Sequence, residues 1–371
     1  MRNEIMQGVR RAVIKVGSSL LVSLGTGLNK DFISRLTKEL AWLNKKGGHI
    51  VMVSSGAIAA GMERLNLTKR PKTISELQAA AAIGQSTLMH VYEEAFAPWG
   101  LKVAQVLLTH EDMKERKRYI NARNTLLTLL DMGVIPIINE NDSVVVEEIK
   151  FGDNDLLAAL VTSLVDADLL LILTDIDGLY DGEPHRGGRF ITLVERVNKE
   201  VEEMAWGSQR EIGTGGMVSK VGAAKLAAQF GVPTVVTSGR AKRVLKRVFA
   251  GERMGTLFLA RSEELKRRKQ WIGFTLRPKG ELKLDKGAQE AIVRGGKSLL
   301  PSGIIAVEGD FGRGDPVSCL DPQGKEFARG LVQYDSRELR EIMGRQSSQI
   351  EEMLGYKYTD EVIHRDNLVV L

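Results

Sequence analysis

The stretch IGTGGMVSKVGAAKLA, Ile212–Ala227, has the pattern of a glycine-rich loop that runs into a helix. Glycines allow backbone N–H groups to turn toward a phosphate, and the helix N-terminus adds a partial positive charge. Lys220 stands at the predicted junction, where its ammonium group would neutralise a phosphoryl group in transfer. A second glycine loop, VIKVGSSLL, places Lys15 at the end of an apolar run. The two loops together predict one phosphate site built from two parts of a sheet.

Neither loop has a common nucleotide-binding fingerprint. A P-loop requires G-x-x-x-x-G-K-[ST], and the G-K-S at 296–298 has Ala291 where the first glycine should stand. We interpret that G-K-S segment as a solvated turn. The dinucleotide pattern G-x-G-x-x-G also fails, because Gly213 and Gly215 are followed by Val218. The predicted site is therefore of neither the Walker type nor the Rossmann type.

Short apolar runs alternate with longer amphipathic segments from Arg11 to Ala260. The β-branched runs are AVIKVG, HIVMVSS, KVAQVLLT, GVIPIIN, DLLLILTD and GVPTVVTSG. The amphipathic segments include DFISRLTKELAWLNKKGG, ELQAAAAIGQSTLMHVYEEAF and NTLLTLLDMG. This alternation predicts an α/β fold, a mostly parallel open sheet with helices on both faces. Ligands bind at the carboxyl ends of such strands, which is where the polar motifs KVGSS, SSGAIAAG, NENDS and TDIDGLY stand.

The 371 residues are enough for two domains, and the chain changes character near Trp271. Short strands and many turns follow, so we predict a first domain at 9–262, a linker at 263–276 and a small β-rich domain at 277–371. The net charge of +5 comes mainly from residues 240–271, with 11 basic and 3 acidic side chains. We interpret these basic side chains as solvated helix and linker faces. A dedicated RNA-binding C-terminal domain would be basic, whereas the last domain has 14 basic and 16 acidic residues.

Composition argues against several other classes of protein. The longest apolar run, DLLLILTD, is far below the roughly 18 residues that a membrane span needs, so we predict no membrane association and a cytoplasmic location. The single cysteine, Cys319, excludes an internal disulfide and a multi-cysteine zinc site. The five histidines show no metal-ligand spacing.

Two further segments, INENDSV and FGDNDLLAALV, gather carboxylates and amides beside the predicted phosphate site. Turn formation and helix capping account for some of them, and for Asp153 they are as good an explanation as function. Carboxylates near phosphate would repel it unless they bind Mg²⁺, orient lysines or hold a substrate ammonium group. For Asp142, Asn154 and Asp155 we therefore favour a functional role.

Taken in order, VIKVGSS, VSSGAIAAG, INENDSV, FGDNDLLAALV, LTDIDGLY and GTGGMVSK resemble the amino-acid kinase family. The later segment GKSLLPSGIIAVEGDFGRGDPVSCLDPQGKEFARGLVQYDS is similar to a PUA domain. The resemblance covers nearly the whole chain from about Val9. It implies ATP-dependent phosphorylation of the γ-carboxylate of L-glutamate, the first committed step of proline biosynthesis, with Mg²⁺ bridging the phosphates.

The resemblance also implies a role for particular residues. Lys15 and Lys220 would act on the phosphoryl group, and Asp155 would orient both ammonium groups. Ser55, Asp142 and Asn154 would bind glutamate, and no residue is expected to be a dedicated metal ligand. The nucleotide would contact Lys15, Thr174, Asp175, Thr214, Gly215, Gly216, Met217, Val218, Ser219 and Lys220.

Two alternatives stay open at this point. One is another kinase of the same fold, acting on N-acetylglutamate or UMP. The other is an RNA-binding protein, since PUA domains occur in those; RNA binding by the C-terminal domain is not established by its sequence. The resemblance further implies feedback inhibition by proline. We also expect a homo-oligomer and coupling to a reductase that consumes the reactive glutamyl phosphate.

Overall fold

The computed structural model describes residues 1–23, 27–144, 153–182, 187–207, 216–260 and 277–371. The chain divides into two compact units, Met1–Asp112 with Lys117–Glu264, and Met113–Arg116 with Leu265–Leu371. The predicted boundary at residue 262 and the linker 263–276 lie outside the described residues, so they stay predictions.

The first unit contains an eight-stranded sheet with the order β10-β12-β11-β7-β1-β4-β6-β5. Neighbouring strands from β11 to β5 are all parallel, whereas β12 is antiparallel to β11 and parallel to β10. The mostly parallel sheet that the sequence predicts is therefore confirmed. The strands of this unit, including two short hairpins outside the sheet (β2–β3 and β8–β9), are β1 Arg11–Val16, β2 Val22–Ser23, β3 Gly27–Leu28, β4 His49–Val53, β5 Val103–Leu108, β6 Ile135–Glu140, β7 Leu169–Thr174, β8 Leu179–Tyr180, β9 Phe190–Ile191, β10 Leu193–Val194, β11 Thr234–Ser238 and β12 Thr256–Phe258.

Helices connect the strands, and several begin at side chains that cap them. The Asn29 side chain accepts a hydrogen bond from the backbone N–H of Phe32, and Thr73 and Glu76 form a capping box. Each such bond satisfies an N–H group that has no partner inside the helix. The helices are α1 Arg2–Gln7, α2 Ser18–Leu21, α3 Lys30–Lys45, α4 Ala57–Arg64, α5 Ile74–Phe96, α6 His110–Lys114, α7 Arg116–Asp131, α8 Asp153–Leu164, α9 Lys199–Gly207, α10 Met217–Gln229 and α11 Val244–Phe249.

The central strand β1 separates a core from the predicted site. Ala12, Ile14 and Val16 belong to the same buried cluster as the apolar face of α3. Side chains alternate between the two faces of a strand, so Lys15 extends to the face opposite Ile14. Lys15 is paired in register with Val53 and Ile172, and the strands on both sides shield it from solvent.

Helices α4 and α5 approach one another at two glycines. A Cβ atom at Gly61 would lie 1.7 Å from the carbonyl oxygen of Ala80, and one at Gly84 would lie 1.8 Å from that of Ala57. No side chain fits at either position. The absence of a Cβ therefore sets the depth at which α5 packs beside the start of α4.

The second unit contains a five-stranded sheet with the order β14-β13-β15-β16-β17. Its buried core includes Cys319 and Tyr334, and the G-K-S lysine, Lys297, lies exposed in the loop after a helix, as predicted. Among the described residues, no helix is long and apolar enough to cross a membrane. The elements are β13 Gly280–Leu284, α12 Lys286–Val293, β14 Ile304–Gly309, β15 Pro316–Leu320, β16 Glu326–Leu331, α13 Ser336–Ile342, α14 Ile350–Leu354 and β17 Leu368–Val370.

The α4–α5 contact predicts the stability of two glycine variants. Gly61→Ala should lower the free energy of unfolding by about 1–3 kcal/mol, because the added methyl forces two backbones apart. Gly222→Ala in α10 is the matched control, since within the described residues its Cβ would meet only the Leu156 side chain, at 3.9 Å. That change should be neutral or stabilising by up to about 1 kcal/mol, through helix propensity. Urea unfolding followed by circular dichroism measures both, and equal stability of the two variants would contradict the proposed constraint.

Candidate active site

A single carboxylate joins the two lysines that the sequence singled out. Asp155 Oδ1 lies 2.6 Å from Lys15 Nζ, and its Oδ2 lies 3.2 Å from Lys220 Nζ. Ser219 Oγ donates a further hydrogen bond to Oδ2, at 2.7 Å. The Asp155 side chain is fully buried, and the two lysine side chains are only 6% and 4% exposed. The structure therefore brings Lys15, Asp155 and Lys220 together in one buried cluster.

Burial and charge act against each other on these groups. Burial alone would raise the pKa of the Asp155 carboxyl, but Lys15 and Lys220, with the hydrogen bonds from Lys15 and Ser219, outweigh burial and lower it. Burial lowers the pKa of the Lys15 ammonium, and the positive charge of Lys220 lowers it further, while Asp155 opposes both effects. Asp155 is therefore a stable anion, whereas Lys15 gives up its proton more readily than an exposed lysine.

Three separate elements bring this cluster together. Lys15 lies next to the last residue of β1, Asp155 is in the first turn of α8, and Ser219 and Lys220 are in the first turn of α10. Gly216 precedes α10, and a Cβ there would meet no atom of the described residues within 4 Å. The first turn of α10, with its free N–H groups, therefore lies beside two buried ammonium groups, an arrangement suited to an anion.

A second cluster of amides and hydroxyls adjoins the first through Asn154. The Asn154 Nδ2 group donates to the carbonyl oxygen of Ser54 at 3.1 Å, to Ser55 Oγ at 3.0 Å and to Asn139 Oδ1 at 3.1 Å. Its Oδ1 atom is buried and has no hydrogen-bond partner among the described residues. A buried acceptor of this kind is ready for a donor on a bound molecule.

The end of β7 supplies the predicted residues Thr174 and Asp175. Thr174 is buried and donates from Oγ1 to Asp175 Oδ1 at 3.1 Å. The N–H of Gly17 donates to the Leu173 carbonyl, and the N–H of Gly239 to that of Thr174. Glycines at the ends of the adjoining strands therefore pack closely against this strand end, at the same edge of the sheet as Lys15.

The remaining predicted residues are placed as follows. Met217 and Val218 open α10 and Gly216 caps it. Asp142 lies half-buried in the turn after β6. Thr214 and Gly215 lie outside the described residues, and of Asp153 only the backbone is described, at the start of α8.

The sequence reasoning missed several buried polar residues that support Asn154. Asn139 Nδ2 donates to Gln85 Oε1 at 2.9 Å, and Ser54 Oγ lies 2.9 Å from the hydroxyl of Tyr92. Burial raises the pKa of Tyr92 to about 12, so its hydroxyl stays protonated. Apart from Gln85 and Tyr92 the buried face of α5 is almost entirely apolar, but the neighbouring polar residues Ser86, Thr87 and His90 hide that pattern in the sequence. Only the fold shows which strand ends Gln85 and Tyr92 face.

The described residues include no group of three or more His, Cys, Asp or Glu side chains that could hold a metal ion. Asp155, the carboxylate at the centre of the site, is already bound to two ammonium groups and a hydroxyl. A metal ion at this site would therefore take most of its ligands from a bound molecule and from water, as Mg²⁺ commonly does with phosphates.

Comparisons with known proteins identify the family. The sequence profile of the Amino acid kinase family matches residues 10–238, and that of the PUA domain matches residues 280–354. Over the full length of both chains, the sequence is 54% identical to a protein named glutamate 5-kinase from Geobacter sulfurreducens and 55% identical to one from Geobacter metallireducens. A glutamate 5-kinase from Cupriavidus taiwanensis is 51% identical, again over its full length. The chain therefore belongs to the amino acid kinase family.

Proposed function

We propose that this chain transfers the γ-phosphoryl group of ATP to the γ-carboxylate of L-glutamate, giving L-glutamyl 5-phosphate and ADP. This is the first step of proline biosynthesis. The observation that carries the proposal is the buried Lys15–Asp155–Lys220 cluster, which adjoins a cluster of polar side chains suited to a small amino acid. Family membership and the full-length similarity to glutamate 5-kinases support it.

Phosphoryl transfer demands alignment and charge neutralisation more than covalent help from the protein. A carboxylate oxygen of the substrate attacks the γ-phosphorus, the bond to the bridging oxygen breaks, and ADP leaves with that electron pair. In the proposal Lys15 holds the transferring group and Lys220 neutralises charge on the nucleotide side. Asp155 fixes both ammonium groups in advance, so that little reorganisation is needed in the transition state.

The nucleotide would lie between the start of α10 and the end of β7. Backbone N–H groups of residues 216–219 would face its phosphates, with Thr174 and Asp175 at the neighbouring strand end. Mg²⁺, when bound, neutralises charge on the β- and γ-phosphates, and the described residues offer it no cage of their own.

The amino acid would lie against the second cluster. Asn154 and Ser55 would hydrogen-bond to it, and Asp142 would pair with its α-ammonium group. An N-acetylated substrate has no such cation. This difference, together with the PUA domain at residues 280–354, favours a glutamate kinase over a kinase for N-acetylglutamate or UMP.

Other expectations from the sequence stay proposals. These are inhibition by proline, a homo-oligomeric state, delivery of the product to a glutamyl-phosphate reductase, and a cytoplasmic location. RNA binding by the C-terminal domain has no support in its charge, which is slightly acidic.

The direct test traps the product. Hydroxylamine converts an acyl phosphate into a hydroxamate, so the chain with ATP, Mg²⁺ and L-glutamate should give hydroxamate in step with ADP. Aspartate, N-acetylglutamate and UMP serve as comparison substrates. Hydroxamate formed faster from N-acetylglutamate, or ADP released only with UMP, would instead support the alternative kinases.

The lysine cluster predicts how replacing each of its lysines changes kcat. Lys220→Ala should lower kcat by about 10²–10³, the usual loss on removing one group that stabilises the transition state. Lys15→Ala should be at least as damaging. Lys225→Ala is the matched control, because that lysine of α10 is 46% exposed and paired with Glu202. A Lys220→Ala enzyme with normal kcat and only a raised KM for ATP would mean that this lysine acts in the ground state.

Asp142 predicts a selective effect on the amino acid. Asp142→Ala should raise KM for glutamate steeply while KM for ATP changes little, since losing one partner of a desolvated charge pair costs about 2–5 kcal/mol. That range corresponds to about 30-fold to several thousand-fold in affinity. Ser143→Ala, an exposed neighbour in the same turn, controls for disturbance of the loop. Equal weakening of both substrates would rule out the ammonium contact.

A further inference from the structure

Gln85 lies on the buried face of α5 and is 8% exposed. It follows Gly84, whose missing Cβ allows α5 to approach Ala57 at the start of α4. The same approach brings α5 beside the strand ends that carry Ser54 and Asn139. Gln85 therefore reaches the amide cluster through Asn139, which is the contact that accounts for a buried amide on this helix.

The direction of each hydrogen bond in this cluster can be worked out from the backbone. The N–H of Glu140 can only donate, and its acceptor, at 2.9 Å, is the Asn139 side chain. That acceptor must be Asn139 Oδ1, so Asn139 Nδ2 faces Gln85. Gln85 must then present its oxygen Oε1, at 2.9 Å.

A second backbone group fixes Asn154. The carbonyl of Ser54 can only accept, so the Asn154 atom 3.1 Å away is the donor Nδ2. The same Nδ2 donates to Asn139 Oδ1. Asn154 Oδ1 is therefore left as a buried acceptor with no partner in the described parts of the chain.

Gln85 itself makes an unequal set of bonds. Its Oε1 accepts from Asn139, but its Nε2 is buried without a partner among the described residues. An unpaired buried donor costs about 1–3 kcal/mol. An apolar residue would avoid that cost next to Ala81 and Leu88, so the useful part of Gln85 is its acceptor oxygen.

We propose that Gln85 is a positioning residue for the amino-acid substrate: by accepting from Asn139 it fixes the series Gln85–Asn139–Asn154, whose last oxygen faces a substrate N–H donor. Without that acceptor, Asn139 Nδ2 becomes an unpaired buried donor and Asn139 turns toward another partner. Asn154 then loses one of the acceptors that hold its amide. The inference rests on the proposed function, because it names a support for the proposed glutamate contact.

The experiment compares variants of Gln85 in the full chain by KM for glutamate, KM for ATP and kcat. Gln85→Met is close in size and has no acceptor oxygen, so KM for glutamate should rise about 5- to 150-fold, the fold-change that corresponds to the cost of an unpaired buried donor. KM for ATP should stay within about twofold. Gln85→Glu should restore most of the glutamate affinity, because its carboxyl offers an oxygen to Asn139 in either protonation state.

Thr37→Val is the matched control for a merely structural effect. Thr37 is buried in the same unit and donates to the Ala95 carbonyl at the far end of α5, at 3.1 Å. This variant should lower stability while leaving both KM values unchanged. KM does not depend on how much of a preparation is folded, so a poorly folding Gln85→Met enzyme still gives an answer. Gln85→Asn, one methylene too short to reach, is the second variant and should behave like Gln85→Met.

The outcomes separate this inference from the proposed function. An unchanged KM for glutamate in Gln85→Met or Gln85→Asn would overturn the inference, as would a parallel rise in both KM values or a failure of Gln85→Glu to restore affinity. If the unmodified chain gives no glutamate-dependent hydroxamate, the proposed function fails instead, before any variant is compared.

Discussion

The site depends on the buried carboxylate of Asp155, held between two buried ammonium groups. Taking one charge out of water costs several kcal/mol, and the cost is offset only when partners and hydrogen bonds are well placed. Here each oxygen of Asp155 meets a lysine, and Ser219 adds a hydrogen bond. Two ammonium groups without this carboxylate would repel one another at short range. The cluster therefore requires β1, α8 and α10 to meet at one point.

The parallel sheet fulfils that requirement because successive strands deliver their carboxyl ends to the same edge. Lys15 lies on β1, Ser54 directly follows β4, Asn139 lies on β6, and Thr174 is the last residue of β7. Helices α8 and α10 present their N-termini there, so partial positive charges and lysines share one region. The resulting cluster has two cations for one anion, an excess that a transferring phosphoryl group would balance. The fold thus holds in place a charge imbalance that suits its proposed reaction.

The sequence predicts the strongly periodic parts of this fold and the residues that follow them. The six longer strands between Arg11 and Ser238 are each six or five residues long, enough for an apolar pattern to appear. Strands β10 and β12 have two and three residues, too few to show a period. They run antiparallel to the other strands of the sheet, and nothing in the sequence indicates that direction. Lys15 and Lys220 could be predicted because each stands beside a glycine-rich loop, and Asp155 because a carboxylate near a phosphate site needs a cationic partner. Their mutual distances could not, since these depend on how β1, α8 and α10 pack.

Gln85 shows why part of the site could not be predicted from the sequence. Within its helix it is followed directly by Ser86 and Thr87, and an exposed position would explain it equally well. Its importance depends on Gly84, which has no side chain to recognise but permits the close approach of α5 to α4. Two backbone groups, the N–H of Glu140 and the carbonyl of Ser54, then determine which atom of each side-chain amide donates and which accepts. Each amide alone could be turned either way, and only the assembled sheet edge selects one orientation. The orientation of the amides that would contact the substrate therefore depends on where backbone groups lie, and the sequence alone does not show those positions.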